Sequence, residues 1–356
     1  MRRLHCVGFT DDFLLEDGTL AFPGYDLGGL MTNPGIKIVR FTAGLQIDAA
    51  DLAGLDVLVS VPMTAAITKD SLLSCNRLIG IVRVGVGCDD VDLTACTEAG
   101  VAVVVPTEAV RRPTAIAALT LLLALATRLV QKDRLTREGP SAWHRRTDLR
   151  GHNLAGQTLG LVGCGSIGSD LAALVRPLGM NVIAFDPALS AGDARALSIA
   201  LAPLDEVLAQ AHFVSIHCPL NAATRGLMNG AAFAKMRQGA YLVNTARGGI
   251  VDQTALRAAV LSGHLAGAGL DVFDPEPLQP DDALLQTEGV VFSAHALNWT
   301  HELDADLAAL NVAAVLDLLA GRLPGRIMNP DVVQTQAFKM KLARLAEAST
   351  LASGVA

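Results

Sequence analysis

Arg247, His295 and the carboxylates at 271, 274 and 276 are the residues whose types and spacing suit chemistry on a small anion. A guanidinium at Arg247 can grip a carboxylate through two parallel hydrogen bonds and polarise a carbonyl beside it. An imidazole at His295 can give or take a proton near neutral pH, and an acid beside it would fix its tautomer and favour its charged form. Asp271, Asp274 and Glu276 all lie in GLDVFDPEP, and spacing does not choose among them. Plainer roles exist: a surface ion pair for the arginine, a structural ring for the histidine, a proline-stiffened turn for the acids. Position favours chemistry, because Arg247, His295 and the acids all follow apolar runs of strand type, and parallel sheets gather ligands at such ends. His217 closes another run of the same kind.

A second constellation lies upstream. The stretch Leu159 to Asp186, LGLVGCGSIGSDLAALVRPLGMNVIAFD, reads as strand, glycine turn, helix and strand. In such a turn Gly163 permits the tight bend, Gly165 lets a pyrophosphate approach the backbone, and Gly168 lets helix and strand pack closely. Free N–H groups at the helix start then face the diphosphate. Asp186 stands where a carboxylate meets a ribose 2′-hydroxyl, and Pro187 follows it instead of an arginine or lysine. A 2′-phosphate would be repelled there, so NAD is expected in preference to NADP. A glycine turn can be purely structural; here the strand, the helix and the acid all stand in place around it.

These residues need a scaffold to position them. Apolar runs at Phe213 to His217, Ala240 to Asn244, Ala266 to Val272 and Val290 to Ser293 alternate with helical patterns around 204–209, 231–236 and 253–261. That alternation predicts a doubly wound parallel sheet. Earlier runs at Ile36 to Phe41, Val57 to Val61, Ile79 to Val84 and Val101 to Val105 predict another α/β unit. Between its last two strands VGVGCDDVD turns at Gly85, and exposed amides there could hold a carboxylate; a ligand-free turn fits equally. A helix from Glu302 to Leu319 leads back towards this first unit, and the tail beyond Pro330 is helical in pattern with a tip of small residues expected to be disordered.

A length of 356 residues suggests two domains, and 51% apolar residues suffice for two cores. The net charge of −7, with no dense basic block, argues against nucleic acid and anionic membrane as partners. Six cysteines without a CxxC pair read as buried reduced thiols of a cytoplasmic protein, with neither a disulfide framework nor a metal site. The N-terminus has two arginines but no long apolar segment, so no signal peptide is expected. Ala115 to Ala126 is the most membrane-like segment, yet it is shorter than the ~20 residues a span requires. Arg112-Pro113-Thr114 is expected to open that helix, with Pro113 in its first turn. Gln131 to Asn153 is polar and irregular, and is expected to pack as an arm on a second subunit, with a solvated surface loop as the alternative.

The motifs VGVGCDDVD, LAGQTLGLVGCGSIG, HCPLNAATRGLMN, LVNTARGGIVDQTAL, GAGLDVFDPEP and FSAHALNWT, in this order, resemble the D-isomer-specific 2-hydroxyacid dehydrogenases. The resemblance implies two Rossmann-like doubly wound domains: a flavodoxin-like substrate domain (1–111 with 300–356) and an NAD-binding domain (112–299) with a dimerisation arm around 113–153. It implies hydride transfer between nicotinamide and C2 of a small 2-hydroxy or 2-keto acid, in a homodimer. Arg247 would bind the substrate, His295 would move the proton, and Glu276 would be the acid behind it. Cofactor contacts would come from Gly163, Gly165, Ser166, Ile167, Gly168, Asp186, Cys218, Thr245, Ala246 and Asp271. Amides of Val86 and Gly87 would hold the substrate carboxylate, with Pro62-Met63-Thr64 near the pocket. Two segments depart from the family's usual pattern: Arg112 to Ile116, where a glutamate is common, and His295 to Trp299, where a glycine after His-x-(Ala/Gly) is more usual. A non-catalytic NAD(H)-responsive scaffold of the same fold is the alternative, and the intact Arg247, Glu276 and His295 set favours the enzyme.

Overall fold

The computed structural model describes residues 4–353, apart from Pro23, Met63, Thr64 and Ser74. The expected pocket contacts of Met63 and Thr64, and the tip Gly354–Ala356, thus lie outside the described residues. The chain divides into two compact units, Met1–Val110 with Trp299–Ala356, and Arg111–Asn298.

The first unit is built on five parallel strands: β1 (His5–Thr10), β2 (Ile36–Phe41), β3 (Val57–Ser60), β4 (Gly80–Arg83) and β5 (Ala102–Val104). Their order, β2-β1-β3-β4-β5, is the flavodoxin-like one. Strands β3 and β4 are buried at every residue, as expected where helices cover both faces of a parallel sheet. The helix His301–Leu319 supplies Leu303, Leu307, Val315 and Leu318 to the core around Val7, Phe9, Val57 and Val82. Leu318 lies so close to β4 that a Cβ at Gly80 would come within 2.5 Å of it. The tail is a further helix, Gln336–Ser353, whose buried Lys341 donates to the carbonyls of Leu78 (2.8 Å) and Ala99 (2.7 Å). Sequence periodicity missed β1, whose run HCVGFT mixes polar and apolar residues.

The second unit holds seven parallel strands: β6 (Thr158–Val162), β7 (Asn181–Phe185), β8 (Ala200–Leu201), β9 (Phe213–Ile216), β10 (Ala240–Asn244), β11 (Leu265–Leu270) and β12 (Val290–Phe292). Their order is β12-β11-β10-β9-β6-β7-β8, so the winding reverses between β6 and β9. Ligand crevices form outside the carboxyl ends of strands at such a reversal.

Two expectations are corrected here. The long helix runs Thr107–Thr127, so Pro113 lies inside it and not in its first turn. Glu108, in the true first turn, suits the positive end of the helix dipole, and the sequence reading passed over it. At 21 residues the helix is long and apolar enough to cross a membrane, but 61% of its apolar window is buried. Ala115, Ala118, Leu121, Leu122 and Leu125 pack there against Leu161, Leu171 and Val243, as in the core helix of a soluble fold. The segment after it is helical instead of irregular: Arg128 breaks the helix in a left-handed conformation, then Leu129–Arg137 and Pro140–Thr147 follow as α and 3-10 turns. Leu135 and Ala142 anchor those turns, too sparse a pattern to stand out among charged neighbours.

Candidate active site

β12 delivers His295 and the segment after β11 delivers the acids. His295 Nδ1 and Glu276 Oε2 lie 2.9 Å apart, and the other carboxylate oxygen accepts the Phe273 N–H at 2.7 Å. Held on both oxygens, the acid binds one ring nitrogen and leaves Nε2 to exchange a proton. Burial works to raise the Glu276 pKa, but the hydrogen bonds from His295 and Phe273 and the charges of His295 and Arg247 outweigh it and hold it below its ordinary value. The backbone at His295 is left-handed, φ 52°. A non-glycine residue keeps that conformation only where its surroundings impose it. Here the Asp271 carbonyl takes the His295 N–H at 2.8 Å, and Asp271 Oδ1 takes the amides of Ala296 (3.2 Å) and Leu297 (3.3 Å). A cavity of about 560 Å³ opens beside the pair, walled by Phe273, Leu278, Leu285 and Phe292.

The three acids therefore divide their work. Glu276 meets the histidine, Asp271 fixes the histidine's backbone, and Asp274 is exposed beside Arg225, 3.5 Å away. The other strand-end histidine is unsuited to acid–base work. His217 Nε2 is bonded to Ser215 Oγ at 2.8 Å, and burial pushes its pKa down to about 4, so the ring is neutral at pH 7.

Arg247 rides on the loop after β10. Buried Asn244 organises that loop, donating from Nδ2 to the Arg247 carbonyl (2.9 Å) and accepting the Ala246 N–H on Oδ1 (3.0 Å). Gly248 then passes so near Phe273 that a Cβ would fall 1.9 Å from its carbonyl, so only glycine fits. That approach brings the Arg247 loop to the residue whose N–H anchors Glu276. As a polar residue closing an apolar strand, Asn244 stands among the strand-end candidates of the sequence, but spacing does not reveal that it organises the loop.

The glycine turn follows β6. Gly163 has φ 91°, and a Cβ there would meet Cys218 N at 2.5 Å; at Gly168 it would meet the Gly163 carbonyl at 2.6 Å. Both glycines are demanded by the protein's own packing. Gly165 is different: it is exposed, and a Cβ there would meet nothing within 4 Å. Its space is open to a ligand at the start of the helix Ser166–Val175, which has no side-chain cap. Ser166 and Ile167 stand half-buried in the first turn. Asp186 closes β7 and accepts the amides of Cys164 (2.7 Å) and Ala188 (2.8 Å), which ties it to the turn. Thr245 Oγ1 is buried without a protein partner, and Cys218 is half-buried, its thiol pushed up to about 11 by burial. An open cradle at a helix start and an orphaned hydroxyl fit a dinucleotide.

In the first unit Gly85 turns the chain after β4 with φ 141°, leaving Val86 half-buried and Gly87 buried. Trp299 is 60% exposed and packs edge-on against Phe22, with ring centroids 5.6 Å apart. All six cysteines are free, and Cys6, Cys88 and Cys218 are half-buried where full burial was expected. Among the described residues no group of three His, Cys, Asp or Glu side chains could hold a metal ion.

Residues 119–296 match the D-isomer specific 2-hydroxyacid dehydrogenase, NAD binding domain family. A glyoxylate reductase of Korarchaeum cryptofilum is 35% identical over 79% of this chain and 85% of its own length. The chain belongs to this family. An (S)-sulfolactate dehydrogenase of Chromohalobacter salexigens is 38% identical over 80% of this chain and 92% of its own. The TT0316 protein of Thermus thermophilus superposes with a TM-score of 0.76 at 33% identity, covering 91% of this chain and 99% of that one. The chain spans half or less of the phosphoglycerate dehydrogenases it first matches, from 50% down to 42% of their length. It is thus an NAD-dependent 2-hydroxyacid dehydrogenase of α/β fold, and an oxidoreductase acting on a CH–OH group.

Proposed function

We propose that this dehydrogenase interconverts a small D-2-hydroxy acid and its 2-keto acid, with Arg247, Glu276 and His295 as its working residues. The observation that carries this reading is the Glu276–His295 pair at 2.9 Å, with the far carboxylate oxygen pinned by Phe273. When bound, NAD supplies or accepts the hydride. Gly163, Gly165, Ser166, Ile167 and Gly168 would hold its diphosphate, Asp186 its ribose, and Cys218, Thr245, Ala246 and Asp271 the remainder. Arg247 grips the substrate carboxylate and steadies negative charge growing on the carbonyl oxygen. His295 gives its proton from Nε2 to that oxygen during reduction and takes it back during oxidation. Glu276 holds the ring in that tautomer throughout. Val86 and Gly87 stand on the turn after β4 in the first unit, where backbone amides suit a carboxylate. That unit would be the substrate domain.

Free thiols suit a cytoplasmic enzyme. The segment around 113–153, where Trp143 is 53% exposed beneath the Arg146 guanidinium, would pack on a second copy in a homodimer. A panel of glyoxylate, pyruvate, hydroxypyruvate and phenylpyruvate, run with NADH and NADPH in parallel, tests the activity. Turnover with NADH, lost by about a thousandfold in His295→Ala while NADH still binds, is the expected result. Tight NADH binding with no turnover of any keto acid would favour the non-catalytic scaffold instead.

A further inference from the structure

The second sheet holds a cavity at the end opposite the acid–base pair. Its volume is about 210 Å³, roughly the room of seven waters at liquid density. Tyr241 near the start of β10, Ala266 near the start of β11 and Gly289 just before β12 line it. Arg247, Glu276 and His295 follow the other ends of these same strands, so the cavity is separate from the site already described. Leu125 and Leu149 give it an apolar wall, and Arg128, Gln131 and Glu288 complete the lining.

Two of these residues bury a polar atom that has no hydrogen-bond partner in the protein, Tyr241 Oη and Gln131 Oε1. Tyr241 is 3% exposed, and its ring is held in place, stacked on Phe213 at 5.1 Å and met edge-on by His152 at 5.9 Å. Buried polar groups in folded proteins are almost always paired, so two orphans on one cavity point to a ligand that meets them. The hydroxyl can donate or accept, whereas the Gln131 oxygen only accepts. The charged residues are unpaired as well: among the described residues neither Arg128 nor Glu288 has an opposite charge within 4.0 Å. Arg128 also opens the helix Leu129–Arg137, which has no side-chain cap, so the positive end of that helix adds to its charge. The lining thus offers a cation, an anion, a neutral acceptor, a hydroxyl and an apolar wall. A ligand carrying one charge leaves the opposite group unmet, and a zwitterion satisfies both.

We propose that this cavity binds a free α-amino acid with a small apolar side chain. Its carboxylate pairs with Arg128, its ammonium with Gln131 Oε1 and Glu288, and its side chain packs on Leu125 and Leu149. Tyr241 Oη bonds either charged group. Arg128, Gln131 and Leu149 belong to the segment proposed to pack on a second copy, so the test uses the full-length protein as it assembles in solution. Calorimetric titration and thermal melting are run with L-alanine, L-valine and L-leucine, and with isovalerate and isobutylamine, which are valine without its ammonium and without its carboxylate. At least one amino acid should bind and raise Tm, with both half-molecules weaker by about tenfold or more, the scale of one charge-assisted hydrogen bond. Tyr241→Phe removes only the hydroxyl, and Glu288→Gln only an exposed charge. Each should weaken the best amino acid about tenfold while NADH affinity stays as in wild type. Should Tyr241→Phe fail to fold, Glu288→Gln carries the test. Three results overturn the proposal. No binding by any amino acid means that water alone fills the cavity, equal binding of a half-molecule means a ligand of one charge, and unchanged affinity in the variants places the amino acid elsewhere.

Discussion

The side-chain amide of Asn298 donates to Thr114 Oγ1 at 3.2 Å. Thr114 lies in the long helix Thr107–Thr127 and Asn298 in the loop after β12, so the bond ties that helix to the loop that carries His295. Asn298→Ala and Thr114→Val should each cost about 1 kcal/mol of stability. Combined, they should cost clearly less than their sum, since contacting residues couple by ~0.5 kcal/mol or more. Denaturant unfolding of the four proteins decides; strict additivity would mean that the bond contributes nothing.

Asp271 offers a second test. Its carboxylate holds the amides of Ala296 and Leu297 while its carbonyl holds His295, which fixes the left-handed turn at the histidine. Asp271→Ala should lower kcat about a hundredfold, the usual effect of displacing a reacting group by about 1 Å. Asp271→Asn keeps an acceptor at Oδ1 and should restore most of the loss. Equal activity in the two variants would show that the carboxylate acts by charge and not by holding the loop.

The glycines of the turn separate packing from binding. Gly163→Ala must place a Cβ 2.5 Å from Cys218 N at φ 91°, so it should lose about 2 kcal/mol or more of stability. Gly165→Ala meets no protein atom within 4 Å and should leave Tm unchanged. Its methyl group occupies the open cradle, so the NADH Kd should rise about tenfold or more. Unaltered NADH binding in Gly165→Ala would exclude this turn as the diphosphate site.

Fold class and family were legible because parallel strands leave unbroken apolar runs and the glycine motif keeps a fixed spacing. Elements whose signal is diluted were less so. β1 mixes polar and apolar residues, the helices of 129–147 hang on Leu135 and Ala142, and Pro113 reads as a helix start although the helix begins at Thr107. The site was legible as a set of candidates. Which of three acids meets His295 depends on the chain doubling back after β11, where Gly248 lets another loop approach Phe273. Asn244 and Asp271 act through backbone groups brought near by folding, and no spacing rule reports that.

The tail helix carries a titration that can be read in stability. Lys341 donates to the Leu78 and Ala99 carbonyls from a site 9% exposed, and burial pushes its pKa from 10.5 down to about 8. Between those two values the unfolded chain binds more protons at this group than the folded one does. Stability from this group therefore rises with pH across that window, and falls again as pH drops through the folded value. Lys341→Met removes the titration, while leaving the two carbonyls without their donor at every pH. The stability difference between wild type and Lys341→Met should accordingly grow in favour of wild type from pH 8 to pH 10. Urea unfolding at half-unit pH steps measures it, and a difference that stays flat across this range would mean that Lys341 titrates as an exposed lysine does.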